Sequence, residues 1–324
     1  MKIAVVGLGA VGGLLAGRLA RAGHAVAALA RGATLERVRT SGLQLDSAGT
    51  SLSVPLPVSD DAASFGVQEL VVIAVKAPAL ADAAPSMAPL IGPETVLLPA
   101  MNGVPWWFLP AALPEEPTLE SVDPGGLLLA QLPLAQVLGC VVHLSSSSPS
   151  PGRVRHGVGE RLIVGEPAGG KSARLAAVCA ALASAGFRVE ASDDVKKDVW
   201  YKLWGNMTMN PVSALTGALS DAILDDALLR GFLLRCMAEA AAIGAQIGCP
   251  IAQLGEERLA LTRELGGFKT SMLQDVEAGR AIELDSLVTA VNEIAARVGI
   301  DAPNIGALLG LTRVMARRRG LYPR

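Results

Sequence analysis

Cysteine is scarce in this sequence, and no two cysteines have the spacing of a metal-binding pair. The 4 cysteines stand at positions 140, 179, 236 and 249, without a C-x-x-C motif, and only His143 lies close to one of them. Two candidate ligands do not complete a zinc site. We therefore expect no bound metal, and we interpret the cysteines as small apolar core residues in the reduced form.

Charge of either sign is also sparse. The 28 Lys and Arg residues nearly balance the 30 Asp and Glu residues, which gives a net charge of −2. A chain with this balance has no broad basic surface that would attract nucleic acid or an anionic membrane. We expect neither partner.

Long hydrophobic runs are missing as well. The N-terminal run over residues 3–17 is shorter than the roughly 20 residues that span a bilayer. Arg18 and Arg21 follow it, where a signal peptide would have small neutral residues before its cleavage site. These features predict a cytoplasmic protein without a membrane span.

Composition and length favour a folded protein of two domains. Hydrophobic residues make up 51% and charged residues 18% of the 324 positions, which is typical of a compact globular chain. Single domains rarely exceed roughly 300 residues, so the length itself favours a division. The mean hydropathy of +0.43 is compatible with an apolar surface shared between subunits, as in a homodimer.

The hydrophobic pattern changes near residue 192. Before it, apolar runs that predict strands alternate with helical patterns, at residues 3–6, 25–29, 70–75, 95–99, 137–142 and 162–164. Each run is continuous rather than alternating, as in strands that are buried on both faces of a parallel sheet. After it, only helical patterns follow, at residues 195–215, 228–248, 253–265, 284–298 and 304–318. Residues 110–133 and 145–152, which are rich in Pro, Gly or Ser, are predicted to be loops.

The pattern predicts an α/β fold with a Rossmann-type, doubly wound parallel sheet over residues 1–192. An all-helical domain over residues 193–324 completes it. We expect the first domain to bind a nucleotide and the second to supply the substrate-binding and catalytic residues.

A glycine motif connects the first predicted strand to the first predicted helix. Its residues are Gly7, Leu8, Gly9, Ala10, Val11 and Gly12. In a dinucleotide-binding turn the first glycine makes the tight turn, the second lets the backbone approach the pyrophosphate, and the third lets helix and strand pack closely. The motif therefore predicts a dinucleotide site, with a purely structural turn as the alternative.

The second predicted strand ends without the acidic residue that would bind the ribose of NAD. Arg31 stands there instead, and a guanidinium can pair with a 2′-phosphate, which favours NADP(H). The alternative is a surface arginine at the start of the next helix. Lys76 and Asn102 follow the next two strands. Lys76 would add positive charge, and Asn102 is either a turn residue or a polar contact near nicotinamide and substrate.

The helical half opens with a polar stripe. Lys202, Asn206 and Asn210 are spaced i, i+4, i+8, so their side chains project from one side of a helix that is otherwise largely apolar. Burial of polar groups is costly unless they have partners. A lone lysine in such a setting more often extends its ammonium to water.

Taken together, these motifs resemble the ketopantoate reductase (2-dehydropantoate 2-reductase) family. The resemblance rests on the glycine motif, Arg31, Lys76, Asn102-Gly103, Lys202-x₃-Asn206-x₃-Asn210-Pro211, Ser271-Met-Leu-Gln-Asp275 and Glu283. It implies that Lys202 donates the proton and that Asn206 and Asn210 hold polar groups of the substrate. It also implies that Ser271 binds the carboxylate end and that Glu283 meets the cofactor ribose and Lys202. The residues that it implies contact NADP(H) are Gly7 to Gly12, Lys76, Asn102 and the region of Ser145.

The activity that the resemblance implies is NADPH-dependent reduction of 2-dehydropantoate to pantoate, in pantothenate biosynthesis. The partner is then a small 2-oxo acid. Charge builds on the carbonyl oxygen during hydride transfer, and a lysine can supply the proton or the positive charge there. Two alternatives stay open: reduction of a different 2-oxo acid on the same fold, or NADP(H) sensing without turnover.

The sequence also departs from the family pattern. Trp106, Trp107 and the extended region over residues 110–133 stand where shorter members connect more directly, and Ser220 stands where some members place an amide that contacts substrate. Paired tryptophans more often pack in a core than recognise a ligand. These departures concern the identity of the 2-oxo acid, not the cofactor.

Overall fold

A computed structural model describes residues 1–47, 49–109, 113, 115 and 118–323. These residues form two units. The first comprises Met1–Met101 and Leu127–Asp198, and the second comprises Asn102–Gly126 and Val199–Arg324. The segment Asn102–Gly126 thus belongs with the C-terminal half of the chain. The assignment of nucleotide binding to residues 1–192 and of catalysis to residues 193–324 stays a prediction.

All the strands of the described chain lie in the first unit. They are β1 (Lys2–Val6), β2 (Ala25–Leu29), β3 (Leu43–Ser47), β4 (Thr50–Val54), β5 (Val58–Ser59), β6 (Leu70–Ile73), β7 (Val96–Pro99), β8 (Gly139–His143), β9 (Ser146–Ser150), β10 (Arg153–His156), β11 (Arg161–Gly165) and β12 (Arg188–Ala191).

Helices occur in both units. The α-helices are α1 (Ala10–Arg21), α2 (Gly32–Ser41), α3 (Leu80–Ala83), α4 (Leu127–Gln131), α5 (Ala173–Ser184), α6 (Val195–Thr216), α7 (Ser220–Asp225), α8 (Ala227–Gln246), α9 (Gly255–Glu264), α10 (Ser271–Glu277), α11 (Ala290–Arg297) and α12 (Pro303–Arg318). A π-helical turn, Asp285–Thr289, precedes α11.

The main sheet of the first unit is parallel, with the strand order β5-β2-β1-β6-β7. β1 lies at its centre, where Ile3 is opposite Val26 of β2 and Leu70 of β6. All three side chains are buried, because helices cover a parallel sheet on both faces and select continuous apolar strands. The predicted α/β class and the apolar strands of this sheet are confirmed.

Two smaller sheets extend the first unit. The strands β12, β11 and β8 form one of them, and a bridge between Leu97 of β7 and Val137 connects it to the main sheet. β8 runs antiparallel to β11, so the expectation of a wholly parallel sheet is wrong here. An apolar run shows that a strand is buried but does not specify the direction of its neighbour.

The other small sheet has the order β4-β3-β10-β9. It shows that the loop predicted over residues 145–152 is wrong, because β9 occupies Ser146–Ser150 and pairs with β10. These strands are short and polar at many positions, so hydrophobic periodicity gives no signal for them. Polar side chains connect neighbouring strands of this sheet. For example, Arg153 Nε of β10 donates a hydrogen bond to Asp46 Oδ2 of β3 at 2.8 Å.

The second unit contains only helices and connecting segments in its described part, as the sequence predicts. The helices α6, α8, α9 and α12 match predicted ones within a few residues, whereas the short helices α7 and α10 have no prediction. The single helix predicted over residues 284–298 begins with the π-helical turn. None of the helices in the described ranges combines the length and apolar composition needed to cross a membrane.

Candidate active site

The glycine motif forms the turn between β1 and α1. Gly7 has φ +94°, which favours glycine, and a Cβ on Gly12 would lie 1.9 Å from the carbonyl oxygen of Gly7. No side chain fits at either position. A Cβ on Gly9 would meet nothing within 4 Å, so open space lies beside the backbone at the start of α1. The close strand-to-helix packing and the open middle position suit a pyrophosphate at a helix N-terminus.

Two basic residues lie at the same edge of the parallel sheet. Arg31 follows β2 and occupies the position just before α2, while Lys76 follows β6. Because β2 and β6 flank β1, both residues stand on either side of the glycine turn at the carboxyl ends of the strands, where open α/β sheets bind ligands. Arg31 is exposed, and its side chain is therefore accessible to a phosphate.

Ser145 has a structural contact in the first unit. Its hydroxyl oxygen accepts a hydrogen bond from the amide of Val158 at 2.8 Å, and its own amide donates to the carbonyl of Val158 at 2.7 Å. The residue is exposed. Its predicted contact with the cofactor stays a prediction.

Helix α6 carries the predicted polar stripe, and two tryptophans attach the helix to α8. The indole N–H of Trp200 donates to the carbonyl of Ala240 at 3.1 Å, and that of Trp204 donates to the carbonyl of Met237 at 2.7 Å. Both rings are buried. Since buried indoles need such partners, these bonds fix the rotation of α6 about its own axis.

Lys202 and Asn102 are brought together within the second unit. The ammonium Nζ of Lys202 donates to Oδ1 of Asn102 at 2.7 Å, although the two residues are 100 positions apart in sequence. This hydrogen bond orients the side-chain amide of Asn102 and holds the ammonium group of Lys202 in place. The side chain of Asn102 thus has a partner of its own in the second unit, and its contact with nicotinamide and substrate stays a prediction.

The other polar residues of the stripe differ in burial and partners. Asn210 is 5% exposed, and its Nδ2 donates to the hydroxyl of Ser271 at the start of α10, at 3.4 Å. Asn206 is half-buried. Among the described residues no group hydrogen-bonds to the Asn206 side chain, so its amide is available to a ligand.

Glu283 lies just before the π-helical turn and is 9% exposed. The same turn contacts the segment that carries Asn102. The amide of Val104 donates to the carbonyl of Ser286 at 2.7 Å, and Gly103 lies directly against Ser286. This π-helical turn, a rare element often found at functional sites, thus links the Glu283 segment to the Asn102 segment.

Gly103 is the tightest point of this contact. Its φ is +83°, and a Cβ there would lie 2.5 Å from the carbonyl oxygen of Ser286. Gly103→Ala is therefore expected to lower the free energy of unfolding by about 2–4 kcal/mol, through overpacking and backbone strain. We also expect it to reduce kcat, because Asn102 is the preceding residue. Denaturant unfolding and steady-state kinetics measure the two effects.

Gly125 provides the matched control for this prediction. It lies in the same segment and also has a positive φ of +66°, but a Cβ there would meet nothing within 4 Å. Gly125→Ala should show the backbone strain alone, about 1 kcal/mol, with kcat unchanged. Equal losses in the two variants would contradict the steric argument.

The C-terminal part of the segment Asn102–Gly126 is attached to α11, the helix that follows the π-helical turn. The carboxylate of Glu293 in α11 accepts hydrogen bonds from the amides of Glu120 and Ser121 at 2.9 and 3.0 Å, and from Arg297 at 2.6 Å. Burial by itself would raise the pKa of Glu293, but hydrogen bonds from Ser121, the Glu120 amide and Arg297 outweigh it and lower that pKa. Sequence reasoning missed Glu293 and Ser286, because their contacts with the Asn102 segment are distant in sequence.

Ser220 stands where some family members have an amide that contacts substrate. In this chain its hydroxyl stabilises a loop. Its hydroxyl donates to the carbonyl of Gly266 and accepts from the amide of Phe268, both at 2.9 Å. The loop leads into α10 and Ser271. The protein itself therefore uses the hydrogen-bonding capacity of Ser220.

The paired tryptophans are core residues. Trp106 and Trp107 are both buried, which agrees with the packing interpretation. The adjacent Phe108 stacks on Trp200 of α6, with ring centroids 5.9 Å apart. Residues 110–112, 114, 116 and 117, which belong to the predicted loop over residues 110–133, lie outside the described residues. Within that range the loop prediction is wrong at Leu127–Gln131, which form the helix α4.

The cysteines and the metal-ligating side chains show no site of their own. None of the 4 cysteines forms a disulfide, and Cys140, Cys236 and Cys249 are buried. Burial raises the pKa of Cys236 to about 12, so this thiol stays protonated and unreactive. No group of three or more metal-ligating side chains lies together in the part of the chain that the structure describes.

Two family models match the chain. The model for "Ketopantoate reductase PanE/ApbA" matches residues 3–169. The model for "Ketopantoate reductase PanE/ApbA C terminal" matches residues 194–316. Together they take in the glycine turn, the polar stripe of α6, Ser271 and Glu283.

Individual proteins are similar over the full length. A curated 2-dehydropantoate 2-reductase of Mesorhizobium japonicum is 40% identical, and the alignment covers 99% of this chain and 100% of that protein. A crystal structure from Ralstonia solanacearum MolK2, of a candidate ketopantoate reductase, is 54% identical with a TM-score of 0.95 and covers 99% of both chains. A D-mandelate dehydrogenase solved with NADH and anilino(oxo)acetate has a TM-score of 0.85 at 18% identity, over 99% of this chain and 100% of that one. At that identity the likeness shows the fold alone.

Proposed function

Because this chain belongs to the ketopantoate reductase family, we propose that it catalyses the NADPH-dependent reduction of 2-dehydropantoate to pantoate, a step of pantothenate biosynthesis. The observation that carries the proposal is the 2.7 Å hydrogen bond from Lys202 Nζ to Asn102 Oδ1. It holds a proton donor in a fixed place beside an amide. A 2-oxo acid reductase needs such a donor at the carbonyl oxygen.

The residues at the edge of the parallel sheet fit NADP(H). The open space at Gly9 and the N-terminus of α1 would take the pyrophosphate, and Arg31 would take the 2′-phosphate as a charge-assisted pair. Lys76 would add positive charge beside them. When bound, the cofactor supplies the hydride that reduces the 2-oxo carbon.

Lys202 has two tasks in the proposed mechanism. Its ammonium donates a hydrogen bond to the carbonyl oxygen of the substrate, which stabilises the negative charge that develops there, and it then transfers the proton to that oxygen. Asn102 accepts one of the three N–H donors of Lys202 and so fixes the direction of the others. Glu283, largely buried at the start of the π-helical turn, is proposed to set the electrostatic environment of the lysine.

The remaining polar groups are proposed to orient the substrate. The hydroxyl of Ser271 would bind the carboxylate end, and its bond with Asn210 holds it in place. The amide of Asn206 has no protein partner among the described residues, so it would bind the substrate hydroxyl. Removing any of these groups leaves its partner unpaired, which costs more than an apolar misfit.

The test is the loss of NADPH absorbance with a panel of 2-oxo acids. Reduction of 2-dehydropantoate with the highest kcat/KM of the panel, and formation of pantoate, would support the proposed function. A higher kcat/KM for another 2-oxo acid would assign the chain to that substrate. NADPH binding without turnover of any of them would contradict the proposed activity and favour a sensing protein. A cytoplasmic location and a homodimer stay predictions from the sequence.

The cofactor preference gives a separate prediction. We expect NADPH to bind at least about tenfold more tightly than NADH, because a charge-assisted hydrogen bond contributes roughly 1.5–3 kcal/mol. Arg31→Ala should remove most of this preference by weakening NADPH binding alone. Fluorescence titration with both cofactors measures it.

Arg39→Ala is the control for this experiment. Arg39 is exposed on the same helix, α2, and its only side-chain partner among the described residues is Glu36, at 3.3 Å. The control variant should keep the preference for NADPH. A wild-type protein that binds the two cofactors equally well would contradict the assignment of Arg31.

A further inference from the structure

The C-terminal residues of the described chain pack against the segment that carries Glu283. The carbonyl of Leu321 accepts a hydrogen bond from the amide of Ile282 at 3.1 Å. The hydroxyl of Tyr322 donates to Oδ1 of Asp285 at 2.5 Å. The two contacts therefore lie on either side of Glu283 in sequence, one residue before it and two residues after it.

The tail, residues 321–323, is itself fixed against α12. Leu321 is 4% exposed, and its amide donates to the carbonyl of Ala316 in α12 at 2.9 Å. The guanidinium of Arg317 lies over the Tyr322 ring, 5.6 Å from its centroid. The tail thus has a defined position from which it can hold the π-helical turn in place.

The tyrosine hydroxyl acts as a permanent donor. Burial, and then the bond and charge of Asp285, raise the pKa of Tyr322 to about 12, so the hydroxyl keeps its proton at any ordinary assay pH. Asp285 is the first residue of the π-helical turn, and Thr289 of the same turn also donates to Oδ1 of Asp285, at 2.9 Å. One carboxylate oxygen therefore joins the tail to both ends of the turn.

Two hydrogen bonds connect the π-helical turn to Lys202 through the segment that carries Asn102. The carbonyl of Ser286 in the turn accepts a hydrogen bond from the amide of Val104 at 2.7 Å. Two residues before Val104, the side chain of Asn102 accepts the hydrogen bond from Lys202. π-Helical turns are rare in proteins and frequently lie at functional sites. The contacts from Tyr322 and Val104 hold this turn from two sides.

We propose that Tyr322 is a positioning residue that acts through Asp285: it fixes residues 283–286, and through the Val104 amide it fixes Asn102 against Lys202. Among the described residues, the hydroxyl of Tyr322 bonds to Asp285, which is not one of the groups proposed to contact substrate or cofactor. Its effect on turnover rests on the proposed function, whereas its effect on the turn does not.

The kinetic test removes only the hydroxyl. Tyr322→Phe should lower kcat about tenfold, as expected when one hydrogen bond to a charged group is lost from a positioning contact. The Kd of NADPH should change much less than kcat. Thr312→Val is the matched control, because it removes a buried hydroxyl of α12 that donates to the Leu308 carbonyl, away from the turn. It should keep the wild-type kcat.

A double-mutant cycle tests whether Tyr322 acts through Asp285. Asp285→Ala should lower kcat at least as much as Tyr322→Phe does, and the double variant should be no worse than Asp285→Ala alone. Asp285→Asn keeps an oxygen that accepts the tyrosine hydroxyl, so it should retain most of the kcat that Asp285→Ala loses. Additive losses would show that Tyr322 acts by another route and would overturn the proposal.

Hydrogen–deuterium exchange provides a readout without substrate. Tyr322→Phe should speed exchange at the amides of Val104 and Leu287, which donate to Ser286 and Glu283, whereas Thr312→Val should not. Wild-type exchange and wild-type kcat in Tyr322→Phe would overturn the inference. If the unmodified protein reduces no 2-oxo acid, the proposed function fails, and the exchange rates alone then decide whether Tyr322 holds the turn.

Discussion

Lys202→Ala is expected to lower kcat by about 10²-fold or more while leaving NADPH binding nearly unchanged. General acid catalysis by a positioned side chain contributes roughly 10²- to 10⁴-fold, and the variant also loses the positive charge that we propose stabilises the developing alkoxide. The Kd of NADPH should stay nearly unchanged, because Lys202 is not among the residues that are predicted to bind the cofactor. Steady-state kinetics and a fluorescence titration measure the two quantities.

Lys197→Ala is the control for this loss. Lys197 lies on the same helix, is exposed, and pairs with Asp194 at 3.1 Å. It should keep the wild-type kcat, because an exposed ion pair of this kind contributes little. Near-normal turnover in Lys202→Ala would remove Lys202 from the mechanism. Equal losses in both variants would point to a damaged helix rather than to a missing proton donor.

A second large effect is expected from the substrate. The kcat/KM for 2-dehydropantoate should exceed that for 2-oxoisovalerate, which lacks the hydroxyl, by roughly 10²-fold or more. A site that hydrogen-bonds a hydroxyl leaves its own polar groups unpaired with an analogue that lacks it, and a buried unpaired group is costly. Competition between the two substrates for NADPH oxidation measures the ratio.

Asn206 allows this prediction to be tested at one residue. Its side chain has no protein partner among the described residues, so Asn206→Ala should lower the kcat/KM for 2-dehydropantoate and leave that for 2-oxoisovalerate nearly unchanged. The ratio should then fall towards one. Ser220→Ala provides the contrast, since its hydroxyl bonds to Gly266 and Phe268 and its loss should affect both substrates alike. Comparable kcat/KM values in the wild type would show that the hydroxyl is not recognised.

Much of the first unit was predictable because its signals are local. The glycine turn, the buried strands on both sides of it and Arg31 all lie within the first 31 positions, and a βαβ motif specifies its own structure over such a length. The sheet of β3, β4, β9 and β10 was not predictable. Its strands are short and partly polar, and their pairing joins parts of the chain that are about 100 residues apart.

The candidate site divides in the same way. The stripe of Lys202, Asn206 and Asn210 follows from helical periodicity, because residues four apart project from one side of a helix. The partners of the stripe do not follow from it. Asn102 reaches Lys202 because a turn at Ser286 holds the segment around Gly103, and no periodicity of the sequence encodes that contact.

The sequence by itself determined the fold class, the glycine turn between β1 and α1 and the identity of the polar residues on α6, because each of these depends on residues that are close along the chain. Only the tertiary structure decided which of those residues meet. It assigned the segment Asn102–Gly126 to the helical unit, gave Lys202 its amide partner, and placed Tyr322 on the turn beside Glu283. These contacts join side chains up to 100 positions apart, and their formation depends on packing of the whole unit rather than on local preference.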